Sequence, residues 1–243
     1  MPRYFVTKEN IDNLIIDSDN YHHLKVVNRV KVGEEVELFS NNITYKVKIT
    51  QINKDTINFE IVDCFYFDTE FNFKVTLMQA YPKGDKLEEI IKHSTELGVY
   101  EILPVITERT IVKIDDSKKQ NKINRLNLIA TEASKQSRRN YIPKINDIKK
   151  LNDVDFNNYN VKIFAYEAEA VNNNKKLLEI VSNIKENDNV IIAIGPEGGF
   201  SSQEANYLID KGFIPVSLGK RILRTETAGL YCLSVIGAIK EWE

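Results

Sequence analysis

The sequence predicts an α/β protein with a small β-rich module at its N-terminal side. Three observations predict it. From Lys74 onward, short apolar runs alternate with stretches of helical periodicity, the pattern of a mostly parallel, wound sheet. Before Lys74, apolar residues alternate at period two, as in half-buried antiparallel strands. Near the C-terminal end, the β-branched run 190–194 stops at Gly195-Pro196-Glu197-Gly198-Gly199, a turn at the carboxyl end of a strand buried on both faces.

The first module spans 1–70. Residues 19–30 suggest a short helix with Leu24, Val27 and Val30 inward. Val36 and Leu38, then Ile43, Tyr45, Val47 and Ile49, then Ile57, Phe59 and Ile61 mark three strands, with turns at Asn41-Asn42 and 53–55. Three strands and one helix of this size imply a small barrel or sandwich.

The second domain spans 74–243. A strand over 75–80 and the turn Tyr81-Pro82-Lys83-Gly84 lead into a helix, with Asp85 as N-cap and Glu88 three residues on. Leu87, Ile90 and Ile91 face its core, and Gly98 ends it. A strand over 100–105, a helix over 121–136 carrying Ile123, Leu126, Ala130 and Ala133, a strand over 161–166 and a helix over 177–184 follow. The stretches 144–160 and 167–176 read as polar, Asn-rich connections. After 190–194, Ser201 and Glu204 form a capping box for a helix whose stripe is Ala205, Leu208 and Ile209, stopped at Gly212. A strand over 213–218, a second polar turn over 219–227 and a nearly all-apolar helix over 228–239 complete the chain.

Composition excludes several classes. A 243-residue chain with 42% hydrophobic and 28% charged residues is globular rather than disordered. Its net charge of −2 gives no global field for nucleic acid, so such binding needs a local patch. Cys64 and Cys232 read as buried free thiols, which fits a reducing cytoplasm. No apolar run reaches the roughly 18 residues of a membrane span, and the first residues lack a signal-peptide core, so a cytoplasmic protein is expected. The G-x-G-x-x-G and G-x-x-x-x-G-K-[ST] signatures are absent, as is G-x-S-x-G. His22 and His23 are adjacent and do not share a helix face, and no C-x-x-C or H-x-x-x-H spacing points to a metal. Two turns at the carboxyl ends of two strands instead suggest a ligand site.

Four blocks carry a resemblance: QAYPKGDKLEEIIKHSTELGV at 79–99, EASKQSRR at 132–139, IGPEGGFS at 194–201 and LGKRILRTETA at 218–228, with a fainter HHLKVVNRVKVGEEVELF at 22–39. They resemble the RsmE family, bacterial methyltransferases that modify N3 of a uridine in 16S ribosomal RNA. The resemblance implies a SPOUT-type α/β sheet with a C-terminal trefoil knot, preceded by a PUA-like β-barrel that binds RNA. It implies a homodimer, a substrate in 16S rRNA or the small ribosomal subunit, and S-adenosylmethionine held bent between the two turns.

Read onto this chain, the cofactor would meet Ile194, Gly195, Pro196, Glu197, Gly198 and Gly199 from the first turn. From the second it would meet Leu218, Gly219, Ile222, Leu223, Thr225, Thr227 and Ala228. The glycines let backbone groups reach its polar edges, and the hydrophobes offer the adenine a slot or else pack in the core. Uridine N3–H must lose a proton, and Glu226 and Glu197 are the candidates to accept it, directly or through water. For Glu226 that role comes second to its reading as a favourable charge at a helix N-terminus or as a partner of Arg224. Arg224 reads as orienting the base or as half of that ion pair, and Thr225 and Thr227 as caps or ligand contacts. Arg3, Tyr4, Phe5, His23, Arg29 and Lys31 in the first module, with Lys135, Arg138 and Arg139, are the candidates for RNA, the cations for phosphate and the aromatics for unpaired bases. Two rival readings remain: a non-catalytic RNA-binding or ribosome-assembly factor on the same fold, and a nucleotide-dependent oxidoreductase.

Overall fold

A computed structural model describes residues 3–112, 115–166 and 176–242. The chain divides into two compact units: Met1–Thr69 with Lys135–Asn140, and Glu70–Ser134 with Tyr141–Glu243.

The first unit is built on β1 (Arg3–Phe5), α1 (Lys8–Asp12), β2 (Ile15–Ile16), α2 (Ser18–His22), β3 (Glu35–Ser40), β4 (Ile43–Ile52) and β5 (Ile57–Phe65). The sheet runs β1-β3-β4-β5-β2, so five strands stand where three are expected; β1 and β2 are too short to show a period. Asn41 and Asn42 both take positive φ, at 50° and 63°, which matches the primed hairpin turn joining β3 to β4. The expected helix over 19–30 is broken. After α2, residues His23–Val27 form a π-helical turn in which Asn28 N–H reaches back to His23 O at 3.0 Å. The extra residue per turn rotates the stripe, so Leu24 and Val30 are buried while Val27 is exposed.

The second unit contains β6 (Lys74–Ala80), α3 (Lys86–Glu96), β7 (Glu101–Ile106), most of α4 (Asp116–Ser137), β8 (Lys144–Ile145), β9 (Lys149–Lys150), β10 (Val161–Ala165), α5 (Lys176–Ser182), β11 (Asn189–Ile194), α6 (Ser202–Asp210), β12 (Ile214–Val216) and α7 (Thr225–Lys240). Its parallel sheet has the order β12-β10-β11-β6-β7-β8, with β9 also beside β7. Strand periodicity divides the core in two. Val75, Leu77, Val190, Ile192 and Ile194 pack with α3, α4, α5 and α7, while Met78, Ala80, Ile191 and Ala193 pack with α6 and residues 151–156. Within the polar stretch 144–160, Leu151, Val154 and Phe156 are thus core residues. The connection over 167–175 lies outside the described residues.

The Ser201–Glu204 capping box is present in full, and Gly212 stops the helix at φ 84°. Ile209 is 46% exposed, so the stripe of α6 is Ala205 and Leu208. Asp85 sits at the N-cap of α3, yet its side chain makes no capping bond, because ψ 8° is not the extended backbone a capping side chain needs. Cys64 is exposed on β5, contrary to expectation, because the end of that strand leaves its outer face open. Cys232 is fully buried in α7, and burial pushes its thiol up to about 12. A thiol reagent on the native protein is therefore expected to label Cys64 promptly and Cys232 only on unfolding. Equal labelling rates would contradict the packing of α7.

Candidate active site

The carboxyl ends of β10, β11 and β12 open onto a cavity of about 400 Å³ in the second unit, within the size range of small-molecule sites. Two turns line it. The first, Gly195–Gly199, follows β11; the second, over 217–224, joins β12 to α7. Gly195 leaves little room for a side chain: a Cβ there would lie 3.0 Å from Gly199 C and Phe200 N, backbone atoms that would have to shift. Gly219 at φ 105° lets the second turn adopt a backbone closed to L side chains.

The turns are joined by Thr225, which is 6% exposed. Its hydroxyl donates to Gly195 O at 2.6 Å and accepts from Gln79 Nε2 at 2.8 Å. Neither it nor Thr227 is a cap: Arg224 occupies the N-cap of α7 with no side-chain bond, and the Thr225 hydroxyl is spent on Gly195.

A charged cluster joins the same turns. Lys86, at the start of α3, places Nζ 3.0 Å from Glu197 Oε1 and 3.2 Å from Glu226 Oε2. Arg224 Nη1 lies 3.9 Å from Glu226 Oε1, with a side chain 83% exposed. The backbone N–H of Lys83 also donates to Glu197 Oε1, at 3.1 Å. Burial alone would raise the Glu197 carboxyl; the backbone N–H bonds and Lys86 outweigh it and hold it below its ordinary value. The Glu197 bond pushes Lys86 above the ordinary ammonium value, against a desolvation cost and with help from Glu226. Arg109 supports the first turn from outside, its Nη1 donating to Gly198 O at 2.7 Å.

Eleven of the thirteen cofactor positions read from the sequence line the cavity. Gly198 and Thr227 do not; the Gly198 carbonyl accepts from Arg109, and Thr227 is exposed on α7. The cavity also takes Lys86, Ala165, Tyr166, Val216, Ser217 and Arg221, which sequence reasoning missed. The second lysine of the PKGDK block was the available signal for Lys86.

The RNA candidates are divided. Arg3 is 2% exposed and donates to Arg138 O at 2.6 Å and Asn140 Oδ1 at 2.7 Å. Tyr4 has no exposed surface and Arg139 is 3% exposed. Arg3 is spent on these bonds, Tyr4 packs in the core of the first unit and Arg139 is buried, so none of the three offers RNA the exposed surface that their reading as RNA contacts needs. Phe5 packs edge-on to Phe39 and His23 edge-on to Tyr4, and Lys135 Nζ lies 5.7 Å from the Tyr4 ring centre. Arg29, Lys31 and Arg138 are exposed.

An RNA methyltransferase domain family matches residues 69–237, and an RNA methyltransferase PUA domain family matches residues 16–62. The ribosomal RNA small subunit methyltransferase E of Bacillus subtilis is 33% identical, over 97% of this chain and 96% of its own. The chain belongs to the ribosomal RNA small subunit methyltransferase E family. The family protein of Mesomycoplasma hyopneumoniae is 32% identical over 96% of this chain and 98% of its own. Among solved structures, the Neisseria gonorrhoeae family member bound to S-adenosyl methionine is similar with a TM-score of 0.80 and 30% identity, over 98% of both chains. A Legionella pneumophila methyltransferase in complex with the cofactor SAM gives 0.83 and 31%, over 98% of this chain and 97% of that one.

Above the ordinary carboxylate range Glu197 is ionised and its ion pair is complete; that contribution is lost as pH falls through its lowered value. In Lys86→Met the Glu197 titration, followed by carboxyl-carbon NMR, is expected to move up. An unmoved midpoint would show that Lys86 does not hold this carboxylate.

Proposed function

We propose that the chain is an S-adenosylmethionine-dependent methyltransferase acting on N3 of a uridine in 16S ribosomal RNA. The observation that carries this reading is the cavity where two glycine-bearing turns meet at the strand ends, with two carboxylates on its wall. The relatives that bind this cofactor support it.

The residues fit such a ligand. Ile194, Leu218, Leu223 and Ala228 offer an apolar slot for the adenine, and Gly195, Gly199 and Gly219 bring backbone polar groups close. Glu197 and Glu226 set negative charge against a cationic sulfonium, and Lys86 restrains both. Once bound, S-adenosylmethionine supplies an electrophilic methyl group. The chain's part is alignment, which lowers a barrier by roughly 7–11 kcal/mol when two reactants are held in line.

The N3 proton goes to Glu226 rather than Glu197. Glu197 Oε1 is already occupied by the Lys83 N–H and by Lys86. Glu226 meets Lys86 through Oε2, at 3.2 Å, whereas among the described residues its Oε1 is approached only by Arg224, at 3.9 Å, and has a lone pair to offer. Arg224, exposed at the mouth, orients the base. Residues 1–70 serve as the PUA-like RNA-binding part, with Arg29, Lys31 and Arg138 toward phosphates. The position of β12 beyond β10, with α7 returning over β11, supports a trefoil-knotted C-terminal segment. A cytoplasmic homodimer acting on 16S rRNA or the small subunit belongs to the same reading. Among the described residues no helix is long and apolar enough to cross a membrane.

Calorimetry with S-adenosylmethionine, followed by transfer of labelled methyl to small-subunit rRNA, tests the activity. Absence of cofactor binding would leave the non-catalytic RNA-binding reading. In Glu226→Gln, methyl transfer at saturating cofactor is expected to fall roughly 10²-fold or more; unchanged turnover would dismiss Glu226 as the proton acceptor.

A further inference from the structure

We infer that Gln79 is a positioning residue that locks the two turns together through Thr225. Gln79 is the penultimate residue of β6, in register with Ile194 of β11, and has no exposed surface. Its Nε2 donates to Thr225 Oγ1 at 2.8 Å and to Ala80 O at 3.0 Å. Thr225 Oγ1 in turn donates to Gly195 O at 2.6 Å.

The direction of this relay is forced. A backbone carbonyl has no proton, so Thr225 must donate to Gly195 and its oxygen must accept from Gln79. The amide is thereby oriented, and its buried Oε1 has no partner among the described residues. A buried orphan oxygen is a cost that an apolar side chain would avoid. What the amide alone supplies is the donor that holds the Thr225 hydroxyl toward Gly195. Gln79 does not line the cavity, whereas Thr225 and Gly195 do, so it acts on a ligand only through them.

This rests on the reading of the cavity as the S-adenosylmethionine site, so the test has one arm without ligand. Gln79→Met keeps the volume and removes the donor. Without ligand, amide exchange is expected to quicken at both 195–199 and 225–228. With ligand, the dissociation constant for S-adenosylmethionine is expected to rise about tenfold, the loss of roughly one buried hydrogen bond. In a Thr225→Val background, Gln79→Met should add nothing further, because its route is already cut. Fully additive losses of affinity would overturn the proposal, as would unchanged exchange at both turns. A wild-type protein that binds no S-adenosylmethionine would sink the functional reading instead, while the exchange arm still decides the lock. Should Gln79→Met fail to fold, Thr225→Ser is expected to keep slow exchange at 195–199 and Thr225→Val to lose it; equal behaviour of the two overturns the lock.

Discussion

The hydrogen bond from Thr225 to Gly195 is the constraint on which the site depends. The two residues are 30 positions apart, in turns that follow different strands. Parallel strands bring their carboxyl ends to one edge of the sheet, which makes the meeting of these turns possible. The bond makes it specific. At 2.6 Å, between groups largely withdrawn from water, it fixes the start of α7 against the first turn. Glycine at 195 lets the turn close tightly, since a Cβ there would come within 3.0 Å of the backbone of Gly199 and Phe200.

The ion pairs around Lys86 join the same turns from the solvent side. These side chains are a quarter to a third exposed, and water and salt screen them. Their role is therefore to set the local charge of the cavity wall rather than to hold the fold. The lining sets the carboxylates of Glu197 and Glu226 among three cations, Lys86, Arg221 and Arg224, so negative charge is confined to the place where Lys86 holds the two carboxylates together.

Much of this was legible in the chain. Period-two alternation gave β3, β4 and β5, and apolar runs between helical stretches gave β6, β7, β10 and β11. The first turn announced itself by its glycines, and the Ser201–Glu204 box by its spacing. What failed did so for physical reasons. The π-helical turn after His22 rotated Val27 off its face, and no pattern of apolar residues announces one extra residue in a turn. Tyr4 and Arg3 look like RNA-reading residues by type, but β1 is only three residues long and its parallel pairing with β3 buries both. Thr225 looked like a cap because it begins a helix; its hydroxyl is taken by a carbonyl that only the tertiary fold brings near. Gln79 gave no signal, since an amide near the end of an apolar strand has meaning only once Thr225 is beside it.

If both turns grip one S-adenosylmethionine together, hydrogen exchange measured with and without it will show protection rising at residues 194–199 and 218–226 in parallel, over one range of ligand concentration. Protection confined to one turn, or appearing elsewhere in the chain, would contradict that shared grip.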